Sequence, residues 1–243
     1  MAVVSAGVLA DGDARRAHVV KPAKLREETL AFLIGRVYDH MNFHPEHLAD
    51  LRRSGLSDAT LRAQKIRTIP LNMIDVLAGF SVPTSVTSAY VIPYPNPAGG
   101  FLPHIRIKLF PPFEEEDGAT VKYLQPPRSG TRLFFPLATL SAVLDSDSPL
   151  WCVEGEKKSL AVAQRGLPAV GIAGINAWCA PGTRRLHSDF ACIPLMGRLV
   201  ELVPDSDWQT HPQVGAAVSA LATALAGAGA RPRVVVLPDK VSA

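Results

Sequence analysis

The chain contains 243 residues, of which 47% are hydrophobic and 19% are charged, and its formal net charge at pH 7 is only +3. This length and hydrophobicity suffice to bury the core of one large domain or two small ones, and the weak charge permits nucleic-acid binding without arguing for it. Three scattered cysteines without a C-x-x-C pair indicate neither a disulfide framework nor a zinc site and fit a reducing cytoplasm. No stretch is apolar for long enough to span a bilayer, so we expect no membrane partner.

The N-terminal part of the sequence predicts an unstructured segment and then helices. Residues 1–24 lack periodicity, and we expect a disordered or extended N-terminus there. Apolar residues at helical spacing predict a helix within residues 26–41. A helical hairpin is predicted over residues 47–67, because Gly55 is a typical helix end and Ser57 a typical cap for the helix that follows.

The pattern then changes to that of antiparallel strands. Strands are expected at residues 88–94, 102–110, 121–125 and 132–135. In the second of them His104, Arg106 and Lys108 alternate with apolar residues, which predicts a sheet with one wet, basic face. We therefore assign residues 25–147 to a smaller α+β domain that combines the helical hairpin with an antiparallel meander.

Residues 148–243 carry the alternating strand and helix pattern of an α/β domain. Strands are expected at 150–153, 169–172, 198–203 and 233–238, with helices at 157–165 and 214–225. Strands separated by helices in this way predict a parallel sheet with right-handed crossovers. The fold class predicted for the whole chain is α/β, with a parallel-sheet domain that follows the smaller α+β domain.

Three carboxylates follow two of the predicted parallel strands. Glu154 comes directly after the strand at 150–153, and Asp205 and Asp207 follow the strand at 198–203. Open α/β sheets place their chemistry at the carboxyl edge of the strands, where these side chains would meet. Carboxylates held close together repel one another unless they share a cation, and oxygen ligands favour Mg²⁺ or Mn²⁺. The alternative is that each acid only caps the helix that follows it.

The turn after Glu154 is also unusual in its composition. Gly155 permits backbone amides or a phosphate to come close to the end of the strand. Lys157 and Lys158 then stand at the start of a helix, where the helix dipole disfavours positive charge. They either bind a phosphate or are exposed lysines tolerated at small cost, and the sequence leaves both interpretations open.

These residues resemble a known family. Glu154-Gly155 after one strand and Asp205-x-Asp207 after a later one are similar to the TOPRIM domain of topoisomerases, bacterial primases and certain nucleases. The longer stretches VEGEKKSLAVAQRGLPAVGIAGINAW and ELVPDSDW resemble an uncharacterised TOPRIM-like domain of plasmid and phage replication proteins. Upstream, YVIPYPNPAGGFLPHIRIKLF and VKYLQPP resemble the catalytic core of bacterial-type DNA primases.

The resemblance implies a role for each matching residue. Glu154 would be a metal ligand or general acid–base group, and Asp205 and Asp207 would bind Mg²⁺ (or Mn²⁺). Basic groups that would contact nucleic acid or phosphate are Arg106, Lys122, Lys157 and Lys158, together with the backbone at Gly155. The implied partners are single-stranded DNA or a primer-template, nucleotides and a replicative helicase, and the implied location is the cytoplasm.

Three functions remain open at this level. The first is Mg²⁺-dependent, primase-like nucleotidyl transfer in the replication of a mobile element. The second is a TOPRIM nuclease, in which water replaces the primer hydroxyl. The third is a non-catalytic DNA-binding accessory module. The mild net charge favours it, and so does one departure from the family, since primases carry further acids after Glu-Gly where this chain has Glu-Lys-Lys. The intact Glu and Asp-x-Asp elements favour the first two functions.

Overall fold

The computed structural model describes residues 43–115, 117–180 and 182–237. The predicted N-terminal segment 1–24 and the predicted helix within 26–41 lie outside the described residues, and so does the side chain of Asp207. The described residues form an antiparallel sheet and a largely parallel sheet, both with helices packed on them. The predicted combination of an α+β part and an α/β part is therefore confirmed.

The first half contains a helical hairpin and a four-stranded antiparallel sheet. Its elements are α1 (Pro45–Arg53), α2 (Asp58–Ala63), β1 (Arg67–Ile69), α3 (Leu71–Ala78), β2 (Ser88–Pro95), β3 (Phe101–Glu114) and β4 (Thr120–Leu124). The predicted hairpin is confirmed, and Ser57 caps α2 by accepting a hydrogen bond from the backbone N–H of Thr60 at 3.2 Å. The sequence patterns gave no indication of β1 or α3.

Both faces of the antiparallel sheet are covered. The strand order is β1-β2-β3-β4, and on one face Ile105 and Ile107 of β3 pack against Ile74 of α3. The other face carries the basic side chains of β3, and it packs against α1 and α2 through a cluster that includes Tyr90. The prediction that this basic face is wet is wrong, because His104 is only 3% exposed. Arg106 and Lys108 are partly buried as well.

The second half forms a five-stranded sheet. Its elements are β5 (Leu133–Phe134), α4 (Leu140–Asp145), β6 (Leu150–Glu154), α5 (Glu156–Ala163), β7 (Ala169–Ile172), β8 (Leu199–Val203), α6 (Pro212–Gly227) and β9 (Arg231–Val234). The strand order is β5-β7-β6-β8-β9, and β6, β7, β8 and β9 run parallel to one another. The predicted βαβ organisation is confirmed, with β6 and β8 as neighbours in the middle of the sheet.

One strand lies in a different sheet from the one predicted. Residues 132–135 were expected to complete the antiparallel meander, but Leu133 and Phe134 pair antiparallel with β7 in the second sheet. The physical reason is burial on both faces, since Leu133, Phe134 and Phe135 are all fully buried. A continuous apolar run of this kind suits a strand covered on both sides rather than one face of a half-exposed meander. The division of domains near residue 148 stays a prediction.

The two halves share a hydrophobic cluster. Leu51 of α1 and Leu61 of α2 pack in it with Tyr94 of β2, and the second half contributes Phe134 of β5 and Leu160 of α5. This packing sets the beginning of α5 against the basic face of the antiparallel sheet.

Among the described helices, none combines the length and apolar character that a bilayer crossing requires.

Candidate active site at the edge of the parallel sheet

The structure brings Glu154 and Asp205 to the same edge of the parallel sheet. β6 and β8 are hydrogen-bonded neighbours in parallel register, with Val153 opposite Val203. Glu154 is the last residue of β6, and Asp205 lies two residues beyond the end of β8. Adjacent parallel strands end at the same edge, so the two acids approach each other although 51 residues separate them in sequence.

The Glu154 carboxylate joins two loops at this edge. One of its oxygens accepts a hydrogen bond from the backbone N–H of Ile175, in the loop after β7, at 3.1 Å. The other oxygen accepts from the backbone N–H of Asp205, also at 3.1 Å. Hydrogen bonds to a charged acceptor are stronger than neutral ones, so this carboxylate holds the loops after β7 and β8 in place.

The Asp205 side chain forms an ion pair with Lys158. The Lys158 Nζ donates to Oδ1 of Asp205 and thereby links the first turn of α5 to the loop after β8. Both side chains are about half exposed, with 52% and 46% of their surface accessible. The Lys158 ammonium therefore contacts a predicted metal ligand, and its binding of a phosphate stays a prediction. The backbone of Asp207 lies in the short 3₁₀ helix Ser206–Gln209.

Gly155 connects β6 to α5 in a conformation that suits glycine. Its φ of 95° lies in a region that other residues adopt at a cost, and a Cβ at this position would meet no atom within 4 Å. The N–H of Gly155 donates to the Ile172 carbonyl at 2.7 Å, which fixes the turn against β7. There is therefore open space beside the backbone at this turn, and the approach of a phosphate to it stays a prediction.

Lys157 points to the first half of the chain. Its Nζ lies 3.1 Å from Oδ2 of Asp50 in α1, and the hydroxyl of Tyr90 donates to the same oxygen at 2.9 Å. Burial disfavours the charged form of Asp50, but the charge of Lys157 and the bond from Tyr90 outweigh it and lower the pKa of this carboxyl. Lys157 thus ties α5 to the helical hairpin.

Arg106 likewise ties the antiparallel sheet to α5. Its Nε lies 3.4 Å from Oε1 of Glu156, and the Tyr94 hydroxyl donates to that oxygen at 2.5 Å. Glu156 is only 6% exposed, and a buried carboxylate needs such partners to remain charged. Burial, first, and the neighbouring Glu156 raise the pKa of Tyr94 well above its usual value, so its hydroxyl stays a donor. Glu156 of α5 thus links the two sheets.

Lys108 and Tyr123, which sequence reasoning did not name as site residues, lie beside these contacts together with Arg106. The Nζ of Lys108 lies 4.6 Å from the ring centroid of Tyr123, and the Arg106 guanidinium lies 5.4 Å from the same ring. Burial is the main cause that lowers the pKa of Lys108. The like charges of Lys157 and Lys122 lower it further, whereas the negative charge of Asp50 raises it. The signal in the sequence was the alternation of Lys108 with Arg106 on one face of β3. Lys122 itself is exposed on β4.

The residues at the edge suit a hard divalent cation in their chemistry. Glu154 and Asp205 supply carboxylate oxygens. The ammonium of Lys158 pairs with Asp205, which shows that this edge attracts positive charge. Among the described residues, no three acidic, histidine or cysteine side chains lie close enough together to form a complete metal site. Mg²⁺ is often held by one or two carboxylates, with waters and substrate phosphates as the remaining ligands, so a partial protein site fits it.

One family profile matches part of the chain. Residues 140–242 match the sequence profile of a family described as a domain of unknown function, DUF3854, which covers less than half of the chain. No curated protein matches the sequence at a significant level.

Three solved structures of bacterial primases are similar to this chain. The zinc-binding and RNA polymerase domains of Aquifex aeolicus primase align with a TM-score of 0.60 and 17% identity, over 90% of this chain and 57% of that one. The DnaG primase catalytic domain bound to ssDNA aligns with a TM-score of 0.54 and 17% identity, over 88% of this chain and 74% of that one. The DnaG catalytic core aligns with a TM-score of 0.55 and 21% identity, over 88% of this chain and 73% of that one. The chain thus spans little more than half of the Aquifex structure, and at these identities the similarity shows that it has the fold of a primase catalytic core.

Proposed function

We propose that this protein carries out primase-like nucleotidyl transfer on nucleic acid in the replication of a mobile element. The observation that carries the proposal is the hydrogen bond from the Asp205 backbone to the Glu154 carboxylate, which joins two predicted metal ligands at the carboxyl edge of a parallel sheet. A basic sheet face lies beside that edge, connected to it through Arg106 and Glu156. Acids for a cation and basic groups for phosphates are the two elements that phosphoryl transfer requires.

A bound Mg²⁺ would neutralise charge on the reacting phosphate, and Glu154, Asp205 and Asp207 are the residues we propose to hold it. The protein's own part is to position and to bind. Glu154 fixes the loops after β7 and β8 through its two backbone hydrogen bonds, so that the acids keep their places. Gly155 leaves space at the strand end for a phosphate.

The positive charges on and beside the antiparallel sheet are proposed to bind the nucleic-acid backbone and the incoming nucleotide. They are the exposed Lys122 and Lys158 and the partly buried Arg106, Lys108 and Lys157. Single-stranded DNA or a primer-template is the proposed ligand, supported by the similarity to a primase domain that was solved bound to ssDNA. A replicative helicase is the proposed protein partner, and the α+β part (25–147) and TOPRIM-like part (148–243) are the proposed domains.

A second candidate function has one observation in its favour. Lys158 neutralises Asp205, and this weakens the attraction of the site for a divalent cation. A DNA-binding accessory module without turnover would tolerate such a pair, whereas an efficient metal-dependent enzyme must overcome it. Nuclease activity differs from primer synthesis only in the attacking group, which is water instead of a primer hydroxyl.

One experiment separates the three functions. The protein is incubated with single-stranded DNA, nucleotides and Mg²⁺, and the products are resolved by length beside those of the Asp205→Asn variant. New short strands that the variant does not make support primase-like synthesis, whereas shortened DNA supports a nuclease. A DNA complex that survives EDTA, with neither product formed, contradicts the proposed catalysis and supports the accessory module.

A further inference from the structure

Lys158 occupies a position at the site that general rules disfavour. It lies in the first turn of α5, where the unpaired N–H groups and the helix dipole repel positive charge. Its ammonium nevertheless reaches across to the Asp205 carboxylate in the loop after β8. A lysine that is unfavourable for its own helix but paired with a predicted metal ligand indicates a role in the site rather than in the helix.

We propose that the Lys158 ammonium competes with the divalent cation for Asp205, so that the cation binds only when this lysine leaves. This inference rests on the proposed function, because it assumes that Asp205 is a ligand of the cation. Lys158 would then be the residue that sets how strongly the site binds metal. Its release from Asp205 would also free a positive charge for a phosphate.

The charges at the edge support this competition. Glu154 and Asp205 together carry two negative charges, and Lys158 cancels one of them before any cation arrives. Both oxygens of Glu154 already accept backbone hydrogen bonds, so Asp205 is the carboxylate with more freedom to change partner. The lysine can leave easily, because it is a point charge on a flexible four-carbon stem and is half exposed to water.

The test is the affinity for Mn²⁺ of the intact protein, measured by electron paramagnetic resonance of the free ion at an ionic strength of about 0.1 M. The informative variant is Lys158→Met, which keeps the length of the side chain and a good helix former but removes the charge. The matched control is Arg165→Met, which removes one positive charge from an exposed position two residues beyond the end of α5. Asp205→Asn shows whether Mn²⁺ binds at the proposed site.

We expect Lys158→Met to bind Mn²⁺ at least about tenfold more tightly than the wild type, since no ammonium then has to be displaced from Asp205 before the ion binds. Arg165→Met should change the affinity for Mn²⁺ less than about twofold, because salt largely screens an exposed charge that lies more than about 10 Å from the ion. Equal affinities of Lys158→Met and wild type, together with loss of binding in Asp205→Asn, would overturn the inference and leave the proposed metal site standing. Absence of Mn²⁺ binding in all four proteins would contradict both.

Discussion

Replacing Glu154 by glutamine separates its structural role from any role in chemistry. The carboxylate accepts two backbone hydrogen bonds, from Ile175 and from Asp205. A glutamine amide has the same shape but only one acceptor oxygen, so one of the two N–H groups would face an NH₂ group. A hydrogen bond to a charged acceptor contributes about 1.5–3 kcal/mol.

The expected loss of stability follows from these contacts. Loss of one charge-assisted bond and weakening of the other would cost about 3 kcal/mol in a fully buried setting. The site is partly exposed, and water weakens charge-assisted hydrogen bonds that it can reach. We therefore expect Glu154→Gln to lower the free energy of unfolding by about 2 kcal/mol, measured by urea denaturation at pH 7.

Amide hydrogen exchange provides a second, local readout of the same substitution. The N–H groups of Ile175 and Asp205 should exchange faster in Glu154→Gln, whereas the amides in the middle of β6 should change only with global stability. The control is Glu46→Gln, on the exposed first turn of α1, which should cost less than about 0.5 kcal/mol. If Glu154→Gln unfolds within about 0.5 kcal/mol of the wild type and both amides keep their protection, the carboxylate does not hold the two loops.

Three further predictions concern the contacts that position the site. Tyr94→Phe removes the donor to the buried Glu156 carboxylate and should cost about 1.5–3 kcal/mol in urea denaturation; a cost below about 0.5 kcal/mol would contradict the link between the sheets. Gly171→Ala places a Cβ at 2.7 Å from the buried Ser159 Oγ and should cost about 1–3 kcal/mol, seen as a lower Tm, whereas an unchanged Tm would show that the helix can move away. Burial is the main cause that lowers the pKa of His47 from about 6.5 to about 4. Between these pH values the unfolded chain binds a proton that the folded chain does not, so stability falls as the pH drops from about 6.5 to 4. In His47→Gln the urea midpoint of unfolding should depend less steeply on pH over that range. An equal dependence on pH in the variant and the wild type would refute the role of His47.

The strand and helix order of the second half was predictable from the sequence. Buried parallel strands such as β6 and β8 are short, largely apolar runs bounded by proline or charged residues, and both appear at the predicted positions. That Glu154 and Asp205 would share one edge followed from the same pattern, because neighbouring parallel strands end together. The specific contact between the Glu154 carboxylate and the Asp205 backbone depends on loop conformation, which no periodicity reports.

The basic face of the antiparallel sheet was harder to interpret. Alternation in β3 predicted correctly that Arg106 and Lys108 share a face, but it could not say what covers that face. Here α5 and the helical hairpin cover it, and they bring Glu156 and Asp50 as partners for its charges. Alternation reports which side chains lie together, while burial depends on contacts between segments distant in sequence.

The short strand β5 illustrates the same limit. Its apolar run was predicted as the last strand of the antiparallel meander because it follows β4 in sequence. The run is instead buried on both faces, with Phe134 in the cluster shared with the first half and Phe135 in the core of the second half. Sequence proximity favours pairing of consecutive strands, but a run that is apolar at every position gains more from burial on both faces.

A divalent ion at the ends of β6 and β8 can be detected by paramagnetic broadening of backbone amide signals with substoichiometric Mn²⁺. We expect the amides of Gly155 and of Asp205 to broaden first in the wild type, and to remain sharp in Asp205→Asn under the same conditions. Broadening that begins elsewhere in the chain, or that is identical in the variant, would contradict a cation site formed by Glu154 and Asp205.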